Sequence, residues 1–138
     1  MELNSKIYVA GHRGMVGSAI VKDLVRKGFS NIITRTSSEL NLINQQAVSD
    51  FFESEKPEYV FLAAAKVGGI IANNTYRADF IFQNLMIQNN VIHQSYLNGV
   101  KKLMFFLFLF HRILFWNNMK SKITFWNLCF LCFPIWKL

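Results

Sequence analysis

Three glycines spaced three residues apart, directly after a short apolar segment, restrict the fold of this chain more than any other feature. Residues 7–10, Ile-Tyr-Val-Ala, are typical of a buried parallel strand, and Gly11, Gly14 and Gly17 follow them. The first glycine permits a tight turn from strand to helix, the second lets a phosphate approach the backbone, and the third lets the helix pack closely on the strand. This spacing predicts a βα unit that binds the pyrophosphate of a dinucleotide. The alternative is a glycine-rich turn that only joins a strand to a helix.

Apolar segments and turn residues alternate through the first hundred residues, as is typical of an α/β protein. The predicted strands cover residues 6–10, 31–35, 59–62 and 100–104, the predicted helices cover residues 15–27, 45–55 and 76–97, and a loop is expected over residues 63–74. Crossover connections between parallel strands are right-handed. This β-α-β-α-β-α-β order therefore predicts the N-terminal half of a Rossmann-type doubly wound parallel sheet.

The composition changes near Met104. All eight acidic residues lie at or before Asp79, whereas eight of the fourteen phenylalanines and all three tryptophans lie between Phe105 and Leu138. This C-terminal segment shows no helix cap, glycine turn or amphipathic face. We therefore predict a truncated dinucleotide-binding domain over residues 1–105 and an unrelated, irregular apolar tail over residues 106–138, which a shifted reading frame would explain.

Charge and cysteine content argue against several classes of function. The net charge is +7, but the lysines and arginines form no stripe, which argues against nucleic-acid binding. Both cysteines, Cys129 and Cys132, fall in the tail, where a second pair of metal ligands is lacking, so no metal site is predicted. The cysteine-free remainder and the lack of a signal peptide predict a cytoplasmic protein. The apolar run of residues 123–136 in the tail is too short to span a bilayer, and His111 and Arg112 interrupt the run before it, which leaves weak attachment to a membrane surface as an alternative.

The end of the second predicted strand indicates which dinucleotide fits. Sites for NAD usually place an acidic residue there to bind the ribose hydroxyls, but this strand ends at Arg35 and the first acid is Glu39. A guanidinium group can bind a 2′-phosphate through charge-assisted hydrogen bonds, and Arg13 in the glycine loop can add a second such group. The predicted cofactor is therefore NADP. The alternative for Arg35 is a solvated charge at the end of a strand.

Several segments resemble one enzyme family. Residues 9–19, Val-Ala-Gly-His-Arg-Gly-Met-Val-Gly-Ser-Ala, resemble the opening of GDP-L-fucose synthases, which are NADP-dependent epimerase-reductases of the extended short-chain dehydrogenase/reductase class. Residues 62–70, Leu-Ala-Ala-Ala-Lys-Val-Gly-Gly-Ile, resemble the third-strand loop of that family. Further similarity lies in residues 35–42 and 73–76. The resemblance covers about residues 6–105 and only the N-terminal part of the usual family length.

This resemblance implies where each part of the cofactor would bind. Residues 11–17 would bind the pyrophosphate, and Arg13 and Arg35 would lie near the 2′-phosphate. Residues 41–42 would flank the adenine, and residues 63–65 would pass beneath the ribose and the pyrophosphate. Many family members carry a second arginine at the position of Ser37. The residues expected at the cofactor are Gly11, His12, Arg13, Gly14, Met15, Val16, Gly17, Arg35, Ser37, Asn41, Leu42, Ala63, Ala64 and Ala65.

The resemblance also implies an activity, the conversion of GDP-4-keto-6-deoxy-D-mannose to GDP-L-fucose with NADPH. The nucleotide sugar would bind only to the full-length family, for which a homodimer is a possible assembly. The catalytic serine and the Tyr-x-x-x-Lys pair of that family are missing from this chain, so no catalytic residue is predicted. Three functions stay open: an enzyme completed by groups from another chain, a non-catalytic nucleotide-binding remnant, and a membrane-associated fragment.

The family also implies a strand order in which the first strand lies between the second and the fourth. Without the later strands of the full-length family, the fourth strand would then be an exposed edge. Unpaired strand edges promote association between chains, so this arrangement predicts poor solubility.

Overall fold

The computed structural model describes residues 1–105 and 132–133 of the 138-residue chain. The elements are β1 (Ile7–Ala10), α1 (Met15–Arg26), β2 (Ile32–Ile33), α2 (Gln45–Glu55), β3 (Tyr59–Leu62), α3 (Ile70–Thr75), α4 (Arg77–Leu97), β4 (Lys102–Phe105) and β5 (Cys132–Phe133). Three predictions concern residues 106–138: an unrelated tail, its origin in a shifted reading frame and its attachment to a membrane. Apart from residues 132–133, these residues lie outside those described. Within the described residues, no helix is both long enough and apolar enough to cross a bilayer.

The described strands form one sheet in the order β2-β1-β3-β4-β5. The first four strands are parallel, and Ile7 of β1 lies opposite both Ile32 of β2 and Tyr59 of β3. This confirms the predicted α/β fold with a parallel sheet. It also shows that the implied strand order was wrong, because β1 lies between the second and third strands rather than between the second and fourth.

The faces on which the helices pack explain this strand order. Leu24 of α1 packs on one face of the sheet with Ile7 and Val9, whereas α2 and α4 pack on the other face. With right-handed crossovers, a helix that changes face reverses the direction in which strands are added. The chain therefore returns across β1 after β2. Hydrophobic spacing identified the helices but did not indicate which face each one covers.

The predicted exposed edge at the fourth strand was also wrong. β5 pairs antiparallel with β4, so that Leu103 lies opposite Phe133 and Met104 lies opposite Cys132. The predicted poor solubility therefore loses the argument on which it rested.

Helix α3 lies inside the region that was expected to be a loop, and the long helix α4 begins one residue later than predicted. Gly69 is the N-cap of α3, and Tyr76 separates the two helices with φ −113° and ψ 42°. The hydroxyl of Thr75 donates to the carbonyl of Ile71 (2.9 Å), which closes the last turn of α3. Two adjacent isoleucines at the start of α3 gave no helical signal, since β-branched residues have a low helix propensity.

The core confirms that β1 is buried on both faces, as expected for a parallel strand. Tyr8 packs against Phe51 and Phe52 of α2, with ring centroids 4.6 Å and 6.2 Å apart respectively. The fully or nearly fully buried apolar side chains on this face include Tyr8, Val48, Phe52, Val60, Leu62, Val91, Val100 and Leu103. This packing fixes α2 and α4 against the sheet and so fixes the loops that precede them.

Candidate dinucleotide-binding site

The strand order reverses between β1 and β3, and at such a point an open α/β sheet leaves a crevice beyond the carboxyl ends of the strands. β1 leads into α1 on one face of the sheet, and β3 leads by way of residues 63–69 into the helices of the other face. In open α/β sheets, ligands bind at this kind of position. The glycine loop and residues 63–65 both lie there.

Gly11 makes the turn out of β1 and lies directly against the segment after β3. Its φ is +82°, which favours glycine, and a Cβ built on it would lie 2.6 Å from the amide nitrogen of Ala64. The amide of Ala63 donates to the carbonyl of Ala10 (3.0 Å), which joins the two strand ends. No side chain fits at Gly11, and the structure brings the two predicted cofactor segments together.

The other two glycines of the loop differ in what the fold requires of them. A Cβ on Gly17 would lie 2.1 Å from the carbonyl oxygen of Gly11, so this glycine is required by the close packing of α1 on the turn. Gly14 has φ −74° and ψ 166°, and a Cβ there would lie 3.3 Å from the same oxygen, a tight contact but far less severe than the one at Gly17. The fold therefore needs glycine at position 17 more than at position 14. The absence of a side chain at Gly14 keeps the backbone open to an approaching group.

The N-terminus of α1 can accept an anion. Its N-cap is Gly14, no described side chain caps it, and its first turn contains no acidic residue. The first amides of a helix have no partner within the helix, and the helix dipole favours negative charge at that end. Met15 is 90% exposed, so the first turn of α1 is open to solvent. The arrangement can bind a phosphate or pyrophosphate group.

Asn84 of α4 holds the segment after β3 in place. Its side-chain Oδ1 accepts a hydrogen bond from the amide of Lys66 (2.7 Å), and its Nδ2 donates to the Lys66 carbonyl (2.9 Å). The residue is 8% exposed. One buried amide therefore binds both polar groups of the Lys66 backbone and positions the end of the 63–65 segment.

Asn90, six residues further along α4, does the same for the segment that was expected to flank the adenine. Its Nδ2 donates to the carbonyls of Leu42 (2.9 Å) and Ile43 (3.0 Å). The side chain of Asn41 accepts from the amide of Ile43 (3.0 Å), and that of Asn44 accepts from Ala47 at the start of α2 (3.2 Å). The conformation of residues 41–44 is thus set by three asparagine side chains.

Arg35, expected at the 2′-phosphate, is held on three sides. Its guanidinium donates to the Glu55 carboxylate (2.7 Å) and to the Thr34 carbonyl (2.9 Å), and it lies 5.7 Å from the centre of the Phe51 ring. Lys6 also pairs with Glu55 (2.9 Å). Hydrogen bonding to Lys6 and the charges of Lys6 and Arg35 lower the pKa of the Glu55 carboxyl, so the carboxylate stays ionised. Arg35 is therefore an anchored charge at the end of β2 rather than a freely solvated one.

A tight turn follows Arg35. The carboxylate of Glu39 accepts from both the amide (2.7 Å) and the hydroxyl (2.8 Å) of Thr36. These hydrogen bonds, followed by the charges of Arg35 and Arg13, lower the pKa of the Glu39 carboxyl. Arg35 lies two residues beyond the end of β2, which is shorter than the predicted strand 31–35, and it directly precedes this turn.

The remaining predicted residues differ in their exposure. Arg13, Ser37 and Asn41 are exposed, and His12 is half-buried. The Nδ1 atom of His12 is buried without a hydrogen-bond partner among residues 1–105. The helix N-terminus, the exposed Arg13 and the Arg35 turn together can bind a ligand that carries several phosphates.

Sequence reasoning missed the two asparagines of α4. Both occupy buried positions on the long predicted helix, and a buried amide needs hydrogen-bond partners. This helix has only a weak amphipathic pattern, so the sequence did not mark the two asparagines as buried. Their partners could not be found without the tertiary structure, because Lys66 and Leu42 are 18 and 48 residues away from them along the chain.

The fold and this crevice define a class of dinucleotide-binding enzyme domain, and comparison with known proteins identifies the class. Residues 7–107 match the NAD dependent epimerase/dehydratase family, and the chain belongs to this family.

Within that family, its curated relatives include GDP-L-fucose synthases. The chain is 64% identical over 105 residues to putative GDP-L-fucose synthase 2 of Arabidopsis thaliana. The matched region covers 76% of this chain and 32% of that protein. The chain is 57% identical over 100 residues to GDP-L-fucose synthase of Escherichia coli (strain K12), covering 72% and 31% respectively. The resemblance read from residues 9–19 and 62–70 is thereby confirmed. The chain matches about a third of the length of these relatives.

Solved structures agree with this assignment. MlghC, the GDP-mannoheptose C4 reductase from Campylobacter jejuni solved with NADP bound, is 60% identical with a TM-score of 0.73, covering 76% of this chain and 33% of that one. The GDP-L-fucose synthetase from Naegleria fowleri bound to NADP is 25% identical with a TM-score of 0.66, covering 76% and 31%. The fold of the described residues is therefore that of NADP-binding reductases.

Proposed function

We propose that this chain is the NADP-binding part of a GDP-L-fucose synthase. The observation that supports the proposal is the geometry of the glycine loop. Gly14 is the N-cap of α1 and no described side chain caps this helix, while Gly11 lies directly against the segment after β3. Two of the solved relatives hold NADP, and the matching part of those structures is the part that this chain contains.

Each region has a function in this proposal. The backbone of residues 11–17 binds the pyrophosphate, and residues 63–65 lie beneath the adjacent ribose. Residues 41–42 flank the adenine. Arg13 and Arg35 bind the 2′-phosphate that distinguishes NADP from NAD, since guanidinium groups suit a doubly charged oxyanion. Arg35 is already oriented by Glu55, so little side-chain entropy is lost when the phosphate binds.

The substrate class follows from the relatives. The names of the GDP-L-fucose synthases and of the GDP-mannoheptose reductase each contain a GDP-linked sugar. We infer that a protein built from this domain reduces and epimerises GDP-4-keto-6-deoxy-D-mannose in the cytoplasm with NADPH as the hydride donor. The 138 residues contain no Tyr-x-x-x-Lys pair, so the chain by itself contributes cofactor binding and not turnover.

Gly14 offers the sharpest test, because a methyl group there meets the fold far less severely than one at Gly17. We expect Gly14→Ala to fold but to weaken NADPH binding about tenfold or more, since the methyl group occupies the space of the pyrophosphate. NADPH binding would be measured from the change in nicotinamide fluorescence. Gly69→Ala is the matched control, because a Cβ at Gly69 meets nothing within 4 Å.

Equal NADPH affinity in the parent chain, Gly14→Ala and Gly69→Ala would show that the glycine loop does not hold the cofactor. Absence of binding in all three would overturn the proposed function.

A further inference from the structure

The turn after β2 is a cluster of anion-binding groups that already holds an anion. The amide and the hydroxyl of Thr36 both donate to one oxygen of the Glu39 carboxylate, at 2.7 Å and 2.8 Å. The hydroxyl of Ser38 lies 2.9 Å from that of Thr36 and can donate to it. A backbone amide, a hydroxyl and nearby guanidinium groups are the donors that also bind phosphate in proteins.

The surrounding charges favour an anion at the same place. Arg35 directly precedes this turn, and after the Thr36 hydrogen bonds the charges of Arg35 and Arg13 help to lower the pKa of the Glu39 carboxyl. Arg35 cannot turn away freely, because Glu55 and the Thr34 carbonyl hold its guanidinium. In this fold, the end of the second strand is where the ribose that carries the 2′ group lies.

We propose that the Glu39 carboxylate is an internal anion that occupies the donors of the 2′-phosphate site and so limits how strongly the chain prefers NADP over NAD. This inference rests on the proposed function, because it assigns a specificity-determining residue to the same cofactor site. A bound 2′-phosphate competes with Glu39 for the amide and the hydroxyl of Thr36. NAD carries no charge at that position, and its binding is indifferent to this competition.

The opposite role for Glu39 is physically distinct. An acidic residue near the end of the second strand can accept hydrogen bonds from the ribose hydroxyls of NAD. In that case Glu39 would assist the binding of NAD, and its removal would weaken it. When Glu39 is replaced, the first role therefore predicts tighter binding of NADPH, and the second predicts weaker binding of NADH.

The test is a pair of titrations, NADPH and NADH, on the 138-residue chain and on Glu39→Gln. Glutamine keeps an oxygen that accepts from Thr36 and removes the charge, so the turn is preserved. We expect NADPH to bind about fivefold more tightly to Glu39→Gln, with NADH affinity unchanged. Glu39→Ala, which frees both Thr36 donors, is expected to shift NADPH affinity in the same direction.

Glu2→Gln is the control for charge. It removes the same charge from an exposed position that precedes β1, whereas the glycine loop follows that strand. Thermal unfolding of each variant reports whether the fold is intact. Glu2→Gln is expected to leave the NADPH-to-NADH ratio of the parent chain unchanged.

Three results would overturn the inference. If the parent chain binds NADPH selectively and Glu39→Gln does not change this selectivity, Glu39 does not determine specificity. The proposed function would not be affected by that result. Weaker NADH binding by Glu39→Gln assigns the carboxylate to the ribose hydroxyls instead. A parent chain that binds neither cofactor overturns the proposed function together with the inference.

Discussion

At Gly17, the backbone of the preceding turn occupies the place where a side chain would begin. A Cβ there would meet the carbonyl oxygen and carbon of Gly11 at 2.1 Å and 2.6 Å and the Cα of His12 at 3.0 Å, and all three are backbone atoms. A flexible side chain could move aside, but a backbone turn that is joined to a buried strand cannot. The close packing predicted from glycine spacing is therefore a property of this residue in the folded chain.

We predict that Gly17→Ala destabilises the fold by about 3 kcal/mol, because the helix must move away from the turn. Urea unfolding monitored by far-UV circular dichroism would measure it. Gly69→Ala, where a Cβ has open space, is the matched control and is expected to change stability by less than about 0.5 kcal/mol. A Gly17→Ala variant as stable as the control would contradict the packing described here.

At the scale of single residues, the sequence predicted the loop well and the charges only in part. The functions of Gly11 and Gly17 in the turn follow from spacing alone, since no other residue type fits. Arg35 was predicted as a phosphate ligand or a solvated charge, but neither alternative included Glu55, 20 residues away, as its partner. That ion pair depends on the packing of α2 beside β2, which periodicity does not reveal.

Among the elements, helix α4 connects the packing of the core to the shape of the site. Its buried face carries Val91 against the sheet, and from the same face Asn84 and Asn90 reach the segments after β3 and β2. The helix thus sets the position of both segments relative to one another. A side chain far from the glycine loop can in this way affect cofactor binding.

We predict that Asn84→Leu destabilises the fold by about 2 kcal/mol and weakens NADPH binding, because the Lys66 amide and carbonyl lose their partner. Chemical denaturation and fluorescence titration would measure the two effects. Asn89→Leu is the matched control, since Asn89 is exposed on the same helix. Equal stability of the two variants would show that the hydrogen bonds of Asn84 to the Lys66 backbone do not hold the segment after β3.

The elements also show where sequence reasoning ends. Helix α2 and strand β3 have the predicted bounds, because an apolar face and a β-branched run are local signals. Helix α3 was missed, because its six residues lack an amphipathic pattern and begin with two β-branched residues. The strand order was wrong, because it depends on the faces that α1 and α2 cover.

For the whole molecule, the first 105 residues contain the crevice at which this fold binds its ligand. The glycine loop, the segment after β3 and the turn after β2 all lie at the carboxyl ends of parallel strands, where helix N-termini and loop amides converge. We propose that this edge of the sheet binds a dinucleotide and that the 2′-phosphate of NADP is the group by which it is distinguished from NAD.

Isothermal titration of the 138-residue chain with NADP and with NAD, at one salt concentration, measures this selection. We expect NADP to bind at least about tenfold more tightly than NAD, because Arg13 and Arg35 are proposed to act on the 2′-phosphate. Equal affinity, a preference for NAD, or no binding of either would contradict it.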